Sequence, residues 1–141
     1  MALVLYDTNI LIDNFAGIPE AVLELTVYDD AIISSITWIE VACKMDDAGK
    51  RNFNTFLAGA GIGIVHPDDD IMQRAAIIRG ESLANPPRLK LPDCIIRATA
   101  ESRGRIVITR NPTDFGGESP TVHVPYQMVN GVAVDIKAPP P

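Results

Sequence analysis

Four acidic residues stand where a carboxylate could do chemistry instead of simply facing water. Asp7 interrupts the apolar run MALVLYDTNILID, Glu40 lies inside ITWIEVACK, Asp93 follows Pro92 in LPDCIIRATA, and Asp114 falls in RNPTDFGG. Carboxylates gathered in one cleft repel each other, and their pKa values rise unless a cation holds them. An all-oxygen set of this kind suits Mg²⁺ or Mn²⁺, which take carboxylate and water ligands and keep positions open for phosphate oxygens. Such an ion activates water and stabilises charge on a phosphodiester undergoing in-line displacement. Together, the four acids would support metal-dependent phosphodiester hydrolysis.

Each acid alone also fits a plainer role. Asp7 can cap the helix that follows it, and Glu40 can be a solvated helix position. Asp93 can favour the dipole of a helix opened by Pro92, and Asp114 can be an ordinary turn residue. These separate roles leave the joint pattern unexplained, with several acids at element ends inside otherwise apolar segments. The run Asp68 to Asp70 is different: it precedes a helix, where one acid caps and the others favour the dipole. His66 and His123 are isolated beside strands and loops. Cys43 and Cys94 lie in apolar periodic segments without metal-ligand spacing and read as reduced thiols.

The elements that must position these acids follow from periodicity and breakers. Leu3 to Tyr6 reads as a buried strand, followed by a helix from Thr8 to Ala16 that stops at Gly17. Pro19 reopens a helix through Leu25, and Ala31 to Ser34 forms a second strand. A helix carrying Thr37, Trp38, Val41 and Met45 should end near Gly49, with another over Arg51 to Ala58. Ile62 to Val65 is a third strand, and a helix marked by Ile71, Ala75, Ile78 and Leu83 follows. The prolines of NPPRLKLPD make a loop, after which a helix runs to about Ser102 and Gly104 caps it. Arg105 to Thr109 is a fourth strand, and Thr121 to Val124 a fifth.

Short strands alternating with helices predict an α/β fold, a three-layer α/β/α arrangement around a mainly parallel sheet of four to five strands. Ligands of such sheets bind beyond the carboxyl ends of the strands. Asp7 and Asp114 belong at that edge, and Glu40 can look back toward it. Asp93 begins the helix that leads into the fourth strand, which places it at the opposite edge unless that helix packs across the top of the sheet.

The chain has 141 residues and 47% hydrophobic content, enough for one core, so residues 1–130 are expected to form a single domain and 131–141 a flexible tail. A net charge of -6, with 18 acidic against 12 basic residues, argues against non-specific nucleic-acid binding. It does not argue against a nucleic-acid enzyme, because bound divalent ions reverse the local sign at a carboxylate cluster. No run approaches the roughly 18 apolar residues of a membrane span, and the first residues lack a basic segment and a cleavage site. The protein is expected in the cytoplasm, without a membrane partner.

LYDTNILID, SSITWIEVACK, LPDCIIRATA and VITRNPTDF, in this order, resemble the PIN domain family, most closely the small bacterial VapC-like toxins of toxin–antitoxin pairs. The likeness runs from about residue 3 to 124. It implies that Asp7, Glu40, Asp93 and Asp114 bind one or two Mg²⁺ or Mn²⁺ ions, with Thr8 or Asn9 supporting Asp7. It also implies cleavage of RNA, leaving a 5′-phosphate and a 3′-hydroxyl. Asn111 stands where many relatives carry another acid, so the fourth corner of the site involves Asn111, Asp114 or both. Thr109 matches a hydroxyl residue of the family that would orient water or phosphate. The resemblance further implies a homodimer neutralised by a cognate antitoxin that inserts a segment into the acidic cleft. Arg88, Lys90, Arg97 and Arg110 lie near the site segments and are either phosphate contacts or solvated charges.

Two other functions compete with this one. A binding module could keep the fold without the activity. A phosphohydrolase could use Asp7 as nucleophile, but that chemistry needs a second acid two residues later, where Asn9 stands.

Overall fold

Five short apolar strands form the central sheet: β1 (Val4–Tyr6), β2 (Ala31–Ser34), β3 (Ile62–Val65), β4 (Ile106–Ile108) and β5 (Val122–His123). The computed structural model describes residues 2–141. The strands are all parallel, in the order β3-β2-β1-β4-β5. Parallel neighbours need crossovers, and six helices supply them: α1 (Thr8–Phe15), α2 (Pro19–Val27), α3 (Ser35–Ala42), α4 (Asp47–Gly59), α5 (Asp69–Ala84) and α6 (Leu91–Arg103). Among the described residues no helix is long and apolar enough to cross a membrane.

The alternation of side chains along the strands explains why both faces are covered. Val4, Tyr6 and Ile33 point to one side and pack with Ile10 and Leu11 of α1 and Phe53 of α4. Leu5, Ile32 and Val107 point to the other and meet Ile96 and Ala100 of α6. A third cluster, with Ile71, Ala75 and Ile78 against Cys94 and Ala98, joins α5 to α6. The result is the expected three-layer α/β architecture around a parallel sheet.

Strand order reverses at β1, which pairs with β2 on one side and β4 on the other. This is the switch point where a doubly wound sheet opens a crevice at its carboxyl edge. The register places Tyr6 beside Ile108, so the next residues, Asp7 and Thr109, leave the sheet side by side.

Two local differences from the sequence expectation have clear causes. The helix expected to reach Gly49 stops at Ala42, because Asp46 caps a new one, accepting the amide of Gly49 at 2.7 Å. Gly49 therefore lies within the first turn of α4. Beyond β5, β6 (Gln127–Val129) and β7 (Val132–Val134) pair antiparallel. Asn130 and Gly131 connect them with φ of 51° and 76°, the left-handed pair that a two-residue hairpin turn requires. The segment assigned to a tail from 131 onward thus contributes β7.

Candidate active site

Asp7 caps α1 and faces the crevice at once. Its Oδ1 accepts the amide of Thr8 at 2.8 Å. Its Oδ2 accepts the hydroxyl of Thr109 at 2.7 Å and the side-chain amide of Asn9 at 3.2 Å. The plain capping role and the site role are compatible, because a carboxylate has enough lone pairs for both.

Thr109 is fully committed. Its hydroxyl proton goes to Asp7, while its oxygen accepts from the backbone amide of Asn111 at 2.9 Å and from Asn9 Nδ2 at 3.3 Å. That uses one donor and two acceptor positions, all that a hydroxyl has. The geometry makes Thr109 a clamp on Asp7 and leaves it no hydrogen-bonding capacity toward water or phosphate. Asn9 completes the clamp by accepting the amide of Arg110 at 3.2 Å on Oδ1.

Thr8 points the other way. Its hydroxyl donates to Glu40 Oε1 at 2.7 Å and lies 3.0 Å from Thr37 Oγ1. With its single proton given to Glu40, Thr8 must accept from Thr37, a buried residue near the start of α3. This relay ties the exposed carboxylate of Glu40 to the end of β1.

Asp93 and Asp114 join Asp7 through their electrostatic field. Burial pushes Asp7, only 7% exposed, up to about pKa 6. Hydrogen bonds from Thr109 and Thr8 oppose the shift, and the charges of Asp93 and Asp114 add to it. Burial also raises Asp93 and Asp114, Asp93 raises Asp114 further, and Lys90 partly compensates at both. Asp93 lies in the first turn of α6, and of the two placements the sequence left open it takes the carboxyl edge. A helix that feeds a parallel strand runs antiparallel to it and so begins at the edge where that strand ends. Asp114 sits in a 3-10 turn (Pro112–Phe115), where Asn111 Nδ2 donates to its Oδ2 at 2.9 Å.

The basic candidates separate. Lys90 acts on the carboxylates. Arg110 instead forms a two-pronged ion pair with Asp13, Nε to Oδ2 at 2.6 Å and Nη2 to Oδ1 at 3.1 Å. Tyr126 donates to the same Oδ2 at 2.8 Å. Arg97 pairs with Glu101 at 3.2 Å, while Arg88 makes no ion pair among the described residues. The sequence reasoning missed Asp13, although it occupies an apolar stripe of α1 three residues after Ile10 and is buried. Asp68 caps α5 and pairs with Arg103, and Asp70 pairs with Arg74, so the acidic run is structural.

The donor set bears on which ion could sit here. Among the described residues no three Asp, Glu, His or Cys side chains close into a ready cage. What the crevice offers is carboxylate oxygen alone, with mutual repulsion that a cation would relieve. Mg²⁺ keeps several waters and binds through one or two carboxylates, so an open acidic set fits it and Mn²⁺ better than a soft metal.

Comparison with known proteins shows the family and the fold. A family model described as PIN domain matches residues 4–115. The solved toxin–antitoxin complex from Klebsiella pneumoniae contains a chain 39% identical to this one, covering 89% of this chain and 99% of that one, with a TM-score of 0.72. FitAcB from Neisseria gonorrhoeae is 24% identical, covering 81% and 91%, with a TM-score of 0.64. A DNA-bound VapBC from Salmonella typhimurium is 20% identical, covering 96% and 98%, with a TM-score of 0.65. The last two show a shared fold. No curated protein matches the sequence.

Proposed function

The chain belongs to the PIN domain family, and we propose that it is a Mg²⁺- or Mn²⁺-dependent endoribonuclease, the toxin of a cytoplasmic toxin–antitoxin pair. What supports this reading is that Asp7 and Asp114 follow β1 and β4, the strands on either side of the switch point, and that the charges of Asp93 and Asp114 both bear on Asp7. Asp7, Asp93 and Asp114 would hold one or two ions, with Glu40 and Asn111 at the margin. When bound, such ions supply an activated water and neutralise charge on the phosphodiester.

The residues of the chain have separable tasks. Thr109, Thr8 and Asn9 fix Asp7 in one orientation. Glu40, exposed and held by Thr8, can accept a proton from a water in the crevice. Lys90 adds positive charge beside Asp93 and Asp114, where a phosphate would enter. The likeness to a chain of a toxin–antitoxin complex supports an antitoxin partner, and a homodimer is the assembly proposed.

Incubation with single-stranded RNA and Mg²⁺ or Mn²⁺ tests the reading. Cleavage should occur, stop in EDTA, and be lost in Asp93→Asn while the circular dichroism stays unchanged. Full activity of Asp93→Asn would remove that residue from the mechanism. Absence of Mn²⁺ binding at millimolar concentration, with no cleavage, would leave a binding module. For the toxin role, induction should arrest growth, and co-expression of the cognate antitoxin should relieve the arrest.

A further inference from the structure

One cavity adjoins the carboxylates without belonging to them. It has a volume of about 380 Å³ and lies between the end of α5, the proline loop, α6 and the 3-10 turn, lined by Glu81, Asn85, Leu89, Arg97, Thr113 and Gly116. That volume is within the roughly 300–1,000 Å³ of sites that hold small ligands. Its position is continuous with the site. Arg97 follows Asp93 by one helical turn on the same face of α6, about 6 Å along the axis. Thr113 precedes Asp114, and Leu89 precedes Lys90. Burial raises the Cys94 thiol, the charges of Arg79 and Arg97 oppose the shift, and those of Asp93 and Asp114 add to it, so both sets lie near this cavity wall.

The local charge differs from that of the whole chain. Residues 79–97 carry four basic side chains against two acidic, in a protein of net charge -6. Arg97 is half-buried, with its guanidinium lying against Gly116, where a β-carbon would sit 3.5 Å from Nη2. The lining mixes apolar walls with a planar cation, an amide, a hydroxyl and a carboxylate. Glu81 would repel a phosphate, so the cavity suits an uncharged ring whose edge carries donors and acceptors. Single-stranded RNA is read in this way, with splayed bases placed on guanidinium or aromatic planes and hydrogen-bonded at their edges.

We infer that this cavity holds the base of an RNA nucleotide flanking the scissile phosphate, with Arg97 as the plane it rests on and Asn85 and Thr113 at its edge. The assignment rests on the nuclease function proposed above and makes Arg97 a determinant of substrate choice. It is tested by binding, which needs no turnover. A short labelled single-stranded RNA is titrated in Ca²⁺, and an abasic nucleotide is moved along it one position at a time. Wild type should lose about tenfold in affinity at one flanking position. Arg97→Ala should bind the intact strand more weakly by a similar factor and show no further loss at that position. Arg97→Lys keeps the charge without the plane and should behave like Arg97→Ala. Should Arg97→Ala fail to fold, Asn85→Ala at an exposed position should reduce the same abasic penalty. An unchanged penalty in the Arg97 variants, or no RNA binding by wild type, would overturn the assignment. Cleavage of the same RNA in Mg²⁺ is scored separately. Arg97-dependent discrimination without cleavage would remove the nuclease reading and keep the cavity's ligand, whereas cleavage without Arg97 dependence would do the reverse.

Discussion

The hydroxyl of Thr109 donates to Oδ2 of Asp7 at 2.7 Å, joining residues 102 positions apart in the chain. The contact exists because β1 and β4 are neighbours in a register that sets Tyr6 beside Ile108. It converts the end of a strand pair into a fixed carboxylate, held by a hydroxyl whose hydrogen bonds all stay within the chain.

Replacing Thr109 with Val removes that donor, takes away one of the two acceptors of Asn9 Nδ2 and deprives the amide of Asn111 of its acceptor. Leaving buried polar groups unpaired costs about 1–3 kcal/mol. Urea unfolding of Thr109→Val should show a loss of that size, with RNA cleavage reduced as Asp7 loosens. Thr109→Ser should stay close to wild type, and equal stability of Thr109→Val and wild type would refute the clamp.

The raised pKa of Asp7 predicts a pH profile for the metal-free protein. Its folded value, about 6, lies above the ordinary 3.8, so between these values the native state keeps a proton that the unfolded chain has lost. Stability from this group is fully present below about pH 4 and is lost as pH rises through about 6, by about 3 kcal/mol. Asp93, Asp114 and Glu24, all raised by burial, act with the same sign. Denaturation from pH 4 to 7 should show the decline, Asp7→Asn should flatten it, and affinity for Mn²⁺ should rise across the same window.

Thr8→Val should separate Glu40 from the strand end, since the hydroxyl that holds its carboxylate is gone. The bond is exposed on the Glu40 side, so unfolding should shift by about 1 kcal/mol. Cleavage should fall while the circular dichroism spectrum is retained, and Thr8→Ser should restore it. Unchanged cleavage in Thr8→Val would exclude the relay from the reaction.

The pairing of Arg110 with Asp13 predicts an effect on stability. Asp13→Ala leaves Arg110 and the buried hydroxyl of Tyr126 without their acceptor. Breaking a buried pair from one side costs about 3–5 kcal/mol, which urea unfolding would register. Because Arg110 is turned inward, Arg110→Lys should lower stability and leave the salt dependence of RNA affinity unchanged. A reduced salt slope would show that Arg110 does meet phosphate.

Much of this architecture is legible in the sequence. The ends of β2 and β3 match the expected strands because short apolar runs between breakers leave few alternatives. The acids at element ends pointed to a crevice and to oxygen-ligated metal chemistry. The hairpin after Tyr126 carries a strong local turn signal, Asn130-Gly131 between apolar residues, although the three final prolines that follow cannot join a strand ladder. The break between α3 and α4 hinged on whether Asp46 or Gly49 governed the boundary, a local competition that the cap won.

The sequence by itself determined the α/β class and the family likeness and singled out candidate carboxylates, because periodicity, caps and breakers act over a few residues. Only the tertiary structure decided which of those groups meet. Strand order put Asp7 beside Thr109, the antiparallel run of α6 against β4 brought Asp93 to the carboxyl edge, and packing turned Arg110 toward Asp13 instead of solvent. These partners lie about a hundred residues apart for Asp7 and Thr109 and for Asp13 and Arg110. No local pattern encodes such distances; register and helix direction do.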